Sequence, residues 1–418
     1  MFRYATRRHA AKESAVMASQ LSPRTVEIVK ATVPALEVHG FEIVRAMYAR
    51  MFEDPAIRDL FNQSHHGETG SQPRALTDAI LAYARNIENL GVLGAAVERI
   101  AQKHVGLQIL PEHYPAVANA LLAAIKQVLG DAATDEVLAA WGEAYWFLAD
   151  ILIAREQALY KGLETADGGW AGWRDFRVVQ KIPESSIITS FVLVPVDGGA
   201  VIRHKPGQYL TFWMDVPGQH PLKRNYSISN APDGRAYRIS VKREPNGVVS
   251  GWLHDEVEVG HVLKVSPPAG EFYLDAAPQR PVVLVSGGVG LTPMLSMLHS
   301  IADGGAEVPV HFVHGALNGG THALGTEVRS VAVKPNLRAT IFYLEPHADD
   351  RAGQDYDEAG LITVDWLKRN TPFAEADFYL CGPKPFLAHF VHGLQQEGVA
   401  PTRIHYEFFG PPDELLAA

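Results

Sequence analysis

Apolar positions in the first part of the chain recur at three- and four-residue spacings. In FEIVRAMYARMF (41–52), Phe41, Val44, Met47, Tyr48, Met51 and Phe52 share one helix face. Asp54-Pro55 ends that helix and starts another, with Asp as cap and Pro at the first helical position. A second stripe runs Leu76, Ile80, Tyr83, Ile87 and Leu90; a third runs Val97, Ile100, Ala101 and His104 and ends at Gly106. Pro111 opens a further helix that reaches Leu129, and the last spans 135–160. No strand-like alternation interrupts residues 22–165, so this segment predicts an all-α domain.

The period changes after Gly168, Gly169 and Gly172. From there to about residue 277, FRVVQKI, ITSFVLVPV, GQYLTFWM, AYRISVK and HVLKVSPP are separated by Gly, Pro, Asn and Asp, which predicts a small antiparallel barrel. From Pro281, strands alternate with helices: PVVLVSGG then PMLSMLHSIAD, VPVHFVHG, ATIFYLEP, and DFYLCGP then KPFLAHFVHGLQQEG. That order predicts a doubly wound parallel sheet. The chain therefore reads as multi-domain: a helical domain (21–166), an antiparallel β-barrel (170–278) and an α/β domain (279–418).

Composition narrows the function classes. The length of 418 residues exceeds one compact core. With 47% hydrophobic and 20% charged residues, the chain is ordinary for a soluble globular protein. A net charge of −10 gives no reason to expect nucleic acid or an anionic membrane as partner. The single cysteine, Cys381, excludes an intramolecular disulfide and a cysteine-rich metal site, and fits a reducing cytoplasm. No run of ~18 apolar residues is evident, so no transmembrane segment is expected. The first twelve residues carry Arg3, Arg7, Arg8 and Lys12 with no acid and lack the apolar core of a secretory signal. Residues 1–20 are expected to be a disordered extension, and Met17 could be the natural start.

Several motifs carry chemistry. LVSGGVGLTPML (284–295) reads as strand, glycine turn and helix: Gly287, Gly288, Val289, Gly290 and Leu291 lead to Thr292, leaving helix N–H groups for a phosphate. It is not a full G-x-G-x-x-G, because Pro293 holds the last position, and a tight structural turn explains it about as well. DFYLCGPKPF ends a second strand in Cys381, Gly382 and Pro383. In RNYSISN, Arg224 suits a pyrophosphate, Tyr226 a ring or ribose and Ser227 a hydrogen bond. GVVSGWL, with Val249 and Ser250, is a second phosphate cradle. The plain alternatives are a solvated Arg224, a sheet aromatic Tyr226, and a turn or cap residue at Ser250.

Together the order RxYS, GxVSxWL, GGVGxTPM and YxCGP resembles the ferredoxin reductase-like flavoenzymes. The resemblance covers residues 174–418 and implies FAD on the barrel and a nicotinamide nucleotide on the α/β domain. YEFFGPP (406–412) supplies the family's aromatic against the flavin, with Phe409 the best match and Glu407 nearby. Relatives that use NADPH carry Arg or Lys beyond the second strand. HGALNGGTHALG (314–325) has neither, so NADH is expected, with NADPH as the alternative.

In the helical domain, His104 lies on an apolar stripe, where most histidines are structural. Tyr48, Gln72 and Glu156 also lie on apolar stripes. A buried Glu needs a donor, and the N–H of a metal-bound histidine would be one. These polar residues could equally satisfy one another or reach water. With one cysteine, iron–sulfur ligation is excluded, and a single axial histidine in an all-α domain points to haem.

KATVPAL, LFN, AYARNIENL, AQKHVGLQI, PEHYPAV, WGEAYWFLA and DGGWAGWRDF are similar to the bacterial flavohaemoglobins, in which a globin is fused to such a reductase. The resemblance spans residues 22–418. It implies haem b held by His104 as proximal ligand, with Glu156 and Tyr114 behind it. Tyr48 and Gln72 would hold bound oxygen, Phe61 would pack on the haem, Leu76 would lie over the distal face, and Lys103 would stand between haem and flavin. Tyr209, Arg224, Asn225, Tyr226, Ser227 and the end segment Phe408, Phe409, Gly410 and Pro411 would contact FAD. Phe408 stands where many relatives have cysteine. The implied activity is nitric oxide dioxygenase: NO and O2 become nitrate, with electrons from NADH through FAD to haem. Alternatives are an NADH-dependent haem or hydroperoxide reductase, and an oxygen-binding or sensing haemoglobin with its own reductase. A monomer acting in the cytoplasm is expected, and the sequence leaves open whether a lipid is a further ligand.

Overall fold

Among the described residues, the N-terminal third is helical: α1 (Pro23–Ala31), α2 (Val33–Met51), α3 (Pro55–Arg58), α4 (Ser71–Arg85), α5 (Gly94–Leu107), α6 (Tyr114–Leu129) and α7 (Asp135–Thr165). The structure, a computed structural model, describes residues 21–61, 71–275, 277–304 and 307–410, with only the backbone of Ser71 and Gln72. The N-terminal extension, the Gln72 side chain and Pro411 lie outside the described residues.

Local chemistry sets the helix ends. The Ser22 hydroxyl accepts from the Thr25 N–H to cap α1, and Asp54 caps α3 through the Ala56 N–H. α5 runs one residue past the expected Gly106. It ends on Gln108, whose φ of 61° is left-handed and whose side-chain amide donates to the Val105 carbonyl at 2.8 Å. That bond replaces the usual glycine stop. Leu36, Ile43, Val44, Met47, Tyr83, Leu121 and Trp141 form the core between α2, α4, α6 and α7.

α7 holds no uninterrupted run of ~18 apolar residues, because Glu143, Asp150, Arg155 and Glu156 break it. By length and composition it could cross a membrane, with mean hydropathy 1.4 over an 18-residue window. It packs on α1, α5 and α6 and turns Glu156 inward.

The second unit holds β1 (Arg174–Pro183), β2 (Ile188–Pro195), β3 (Tyr209–Met214), β4 (Leu222–Ser227), β5 (Tyr237–Lys242), α8 (Val248–Asp255) and β6 (Val262–Val265). The strands pair antiparallel in the order β4-β3-β6-β1-β2-β5, and a bridge between Ile228 and Ile239 closes the ends into the expected barrel. Phe176, Phe191, Phe212 and Tyr237 fill it, each stabilising by about 1.5–3 kcal/mol relative to exposure.

The third unit is β7 (Val282–Gly287), α9 (Leu291–Gly304), β8 (Val310–Ala316), α10 (Gly325–Val331), β9 (Leu337–Tyr343), β10 (Glu358–Ala359), α11 (Val364–Asn370), β11 (Asp377–Cys381), α12 (Lys384–Gln396) and β12 (Ile404–Glu407). Its sheet is parallel, in the order β10-β9-β8-β7-β11-β12. From β7 the chain passes to β8 on one side, while β11 joins on the other. The crevice outside β7 and β11 is therefore the switch point where such sheets bind ligands.

Candidate functional site: a histidine helix docked on a reductase

α5 packs on α7 and brings His104 against Glu156, fifty-two residues away in sequence. His104 Nδ1 lies 2.7 Å from Glu156 Oε1, and the Tyr114 hydroxyl donates to the same oxygen at 2.6 Å. Glu156 is 2% exposed, and its Oε2 is buried without a hydrogen-bond partner. A carboxylate there accepts the proton of Nδ1, so the lone pair of the imidazole is on Nε2, free to bind a metal. Burial, then the hydrogen bond to Glu156 and its charge, pushes the Tyr114 hydroxyl far above its usual range and keeps it a donor. Among the described residues no group of three or more His, Cys, Asp or Glu could hold a metal.

A second wall comes from α2 to α4. Tyr48 is buried, its ring edge-on to Phe61 at 5.9 Å and tilted against Phe52 at 5.5 Å. Leu76 of α4 packs into the same cluster. The residues around His104, namely Val97, Ile100, Leu107 and Tyr114, form a neighbouring cluster, and Leu60, Tyr145 and Leu148 touch both. The structure thus brings Tyr48, Phe61 and Leu76 together on one wall, and His104, Tyr114 and Glu156 on the other.

The face of the barrel that meets α5 carries the flavin candidates. Tyr209 pairs with Ser227, and Asn225 with Thr211, whose hydroxyl donates to Asn225 Oδ1 at 2.9 Å. Gly106 is close-packed here: a Cβ would stand 2.9 Å from Thr211 Oγ1 and 3.5 Å from the Tyr209 ring. The Gly270 N–H donates to Gln102 Oε1 at 3.3 Å, and Arg99 pairs with Glu271 at 2.7 Å. Arg224 donates to the Lys223 carbonyl at 2.7 Å, and the Tyr226 ring meets Phe212 edge-on at 5.8 Å. Val249 is buried. The Ser250 hydroxyl is engaged in its own loop, accepting from the Glu244 N–H and donating to the Gly247 carbonyl, so here the turn role is what the geometry displays.

β12, not expected as a strand, pairs Glu407 with Cys381 and places it near α5. Burial pushes the Glu407 carboxyl up to about 7; Lys103 and Arg99 of α5 oppose that and Glu271 adds to it. Phe408 packs beside α12, Gly410 lies against the Phe408 ring, and Phe409 is exposed. Burial also pushes the Cys381 thiol up, so it stays protonated and unreactive.

At the switch point, Gly288 adopts a φ of +56° and a Cβ on Gly290 would stand 2.2 Å from the Cys381 carbonyl oxygen. The glycine turn thus lets the ends of β7 and β11 touch. Val289 and Leu291 complete the turn, Pro383 caps α12, Gly287 and Gly382 lie under the Phe386 ring, and Thr292 donates to the Val289 carbonyl at 3.1 Å.

Sequence reasoning missed the polar lining after β8. Asn318 Oδ1 and His322 Nε2 are buried without hydrogen-bond partners, while His322 Nδ1 faces the Tyr343 hydroxyl at 2.9 Å. Burial lowers the His322 pKa to about 4, so the ring is neutral. No periodic signal marks these residues.

Comparison with known proteins settles the lineage. A flavohaemoprotein of Xylella fastidiosa is 53% identical over 403 residues, covering 96% of this chain and all of that one. The chain belongs to the flavohaemoglobin family. Within this flavohaemoglobin, residues 45–152 match the globin family, 175–273 the oxidoreductase FAD-binding domain and 284–392 the oxidoreductase NAD-binding domain. A crystal structure of the flavohaemoglobin from Malassezia yamatoensis, with bound FAD and haem, superposes with a TM-score of 0.82 at 27% identity, covering 93% of this chain and all of that one. The FAD/NAD-binding domain of a nitric oxide dioxygenase from Vibrio cholerae matches at 39% identity and TM-score 0.52, covering 57% of this chain and 99% of that one.

Proposed function

We propose that this flavohaemoglobin is a nitric oxide dioxygenase that converts NO and O2 to nitrate with electrons from NADH. The observation that carries the reading is the docking of α5, the helix of His104, directly on strand β3 of the FAD module within one chain. The name of the Vibrio cholerae relative supports it.

The donor set fits a haem. His104 Nε2 is the ligand, and the Glu156 carboxylate, steadied by Tyr114, makes the imidazole a stronger electron donor. Haem and FAD supply, when bound, the iron that takes O2 and the change from hydride to single-electron transfer. Tyr48, kept protonated by burial, offers a hydroxyl proton to a partial negative charge on the distal side, and Gln72 is assigned beside it. Phe61 and Leu76 keep water from that side. Arg224, Tyr226, Ser227, Tyr209 and Asn225 bind and orient the flavin with Glu407, Phe408, Phe409, Gly410 and Pro411. Gly287 to Thr292 and Cys381 to Pro383 admit the nucleotide. NADH is preferred over NADPH, since the loop at 314–325 offers no Lys or Arg to a 2′-phosphate. Domains at 21–166, 170–278 and 279–418 are assigned on the same basis.

The test reduces the protein anaerobically with NADH, then mixes it with O2 and NO while the haem and flavin bands are followed. Rapid NO loss with matching nitrate is expected. Protein holding both groups that removes no NO, or that turns over hydroperoxide faster than NO, would overturn the assignment.

A further inference from the structure

Lys223 joins the barrel to the helical domain and belongs to none of the motifs. It precedes Arg224 on β4, and successive strand residues face opposite ways, so the two side chains diverge. Lys223 is 2% exposed. Its Nζ donates to the Leu107 carbonyl at 2.9 Å and to the Leu60 carbonyl at 3.4 Å. Two indoles flank the ammonium, Trp213 at 5.0 Å and Trp173 at 5.4 Å, and they meet edge to face at 5.7 Å.

Leu107 is the last residue of α5, three beyond His104. Other carbonyls of that turn are met from within the helical domain. The His104 carbonyl accepts from the Ile109 N–H, and the Val105 carbonyl from the Gln108 backbone and side chain. Lys223 is thus the barrel's own contribution to the negative end of the helix that bears His104. Burial opposes the charge and lowers its pKa to about 8, with Asp59 pulling the other way. The two carbonyl bonds and the flanking indoles offset part of the cost of burying the ammonium.

We propose that Lys223 is a positioning residue for electron transfer from flavin to haem. It ties the end of α5 to the strand that bears Arg224, Tyr226 and Ser227, so the haem ligand and the flavin contacts keep one separation. The step moves one electron from reduced flavin to ferric iron; no bond is made or broken, and NADH supplies the electron pair. This inference rests on the electron relay proposed above, but its test uses neither NO nor O2, so its failure is distinguishable from failure of the dioxygenase reading.

The test follows flavin bleaching and haem reduction separately after anaerobic mixing of the holoenzyme with NADH. In Lys223→Met, bleaching is expected at the wild-type rate while haem reduction slows about tenfold or more. Hydrogen exchange at amides 104–109 is expected to rise, and Lys223→Arg to restore most of the transfer. Lys223→Gln, which keeps a donor without the charge, serves if the Met variant does not retain both groups. Wild-type haem reduction with unchanged exchange would overturn the proposal. So would equal slowing of bleaching, or loss of haem or FAD from both variants, since each places the role elsewhere.

Discussion

Nδ1 of His104 on α5 and Oε1 of Glu156 on α7 lie 2.7 Å apart, and that oxygen also takes the Tyr114 hydroxyl at 2.6 Å. One buried carboxylate oxygen thus serves two donors. Glu156→Gln keeps the shape and removes the charge, so the imidazole becomes a weaker donor. The midpoint potential of the haem iron is expected to rise, as read by spectroelectrochemical titration. Glu156→Ala leaves His104 Nδ1 and the Tyr114 hydroxyl, 3.2 Å apart, only each other as partners, and is expected to cost about 1–3 kcal/mol in stability, measured by denaturant unfolding. An unchanged potential in the Gln variant would remove the assigned role.

Tyr48 offers a cleaner separation of packing from chemistry. Its ring packs on Phe52 and Phe61, and phenylalanine would keep both contacts. Tyr48→Phe is expected to speed O2 release about tenfold, the factor expected of one hydrogen bond of about 1.4 kcal/mol. Flash photolysis or stopped-flow displacement measures the off-rate, and haem content is expected to hold.

Gly290 is constrained by backbone, not by a movable side chain. A Cβ there would stand 2.2 Å from the Cys381 oxygen and 2.8 Å from the Gly382 nitrogen. Gly290→Ala must spread the ends of β7 and β11, at a cost of about 1–3 kcal/mol. Flavin reduction by NADH is expected to slow and its KM to rise, while haem and FAD contents stay normal. A wild-type KM would disconnect this turn from the nucleotide.

Acid is expected to loosen the seam between the barrel and the α/β domain. Glu327 of α10 accepts two 2.8 Å bonds from Arg238 of β5 and faces His299 of α9 at 2.6 Å. Burial works against its charge, but the His299 and Arg238 hydrogen bonds prevail and bring its pKa from 4.5 down to about 2. The stability this adds is present above pH 4.5 and is lost as pH falls towards 2. It amounts to at most about 3 kcal/mol. At the same seam, His204 sits 3.1 Å from Ser296 Oγ, and burial lowers its pKa from 6.5 to about 4. The unfolded chain therefore binds that proton first, and stability also falls from pH 6.5 towards 4. Melting temperature against pH is expected to decline on the acid side in both windows. Glu327→Gln is expected to flatten the decline below pH 4.5 and to lower the melting temperature at neutral pH. Parallel curves for variant and wild type would refute this.

Much of this architecture was legible in the residues. Helical spacing from Phe41 to Phe52 and alternation in ITSFVLVPV are local signals, and α2 and β2 form where they lie. β12 was not legible: its four residues form a strand only because β11 offers an edge beside them. GVVSGWL reads equally as a phosphate cradle or a turn, and only the placed hydroxyl of Ser250 shows the turn contacts. The loop after β8 shows no cation in sequence, but the burial of Asn318 and His322 emerges only in the fold, where His314 and Tyr343 lie against the His322 ring.

By itself, the sequence determined the order of a helical domain, a barrel and a parallel sheet, together with the polar residues that interrupt their apolar faces. Hydrophobic period records which side of an element is buried, and neighbours in the chain set it. Tertiary structure alone decided which polar groups share that burial. Glu156 meets His104 because α7 crosses α5, and Lys223 meets Leu107 because β4 abuts the end of α5. Those pairings depend on how distant elements pack, which no local pattern encodes.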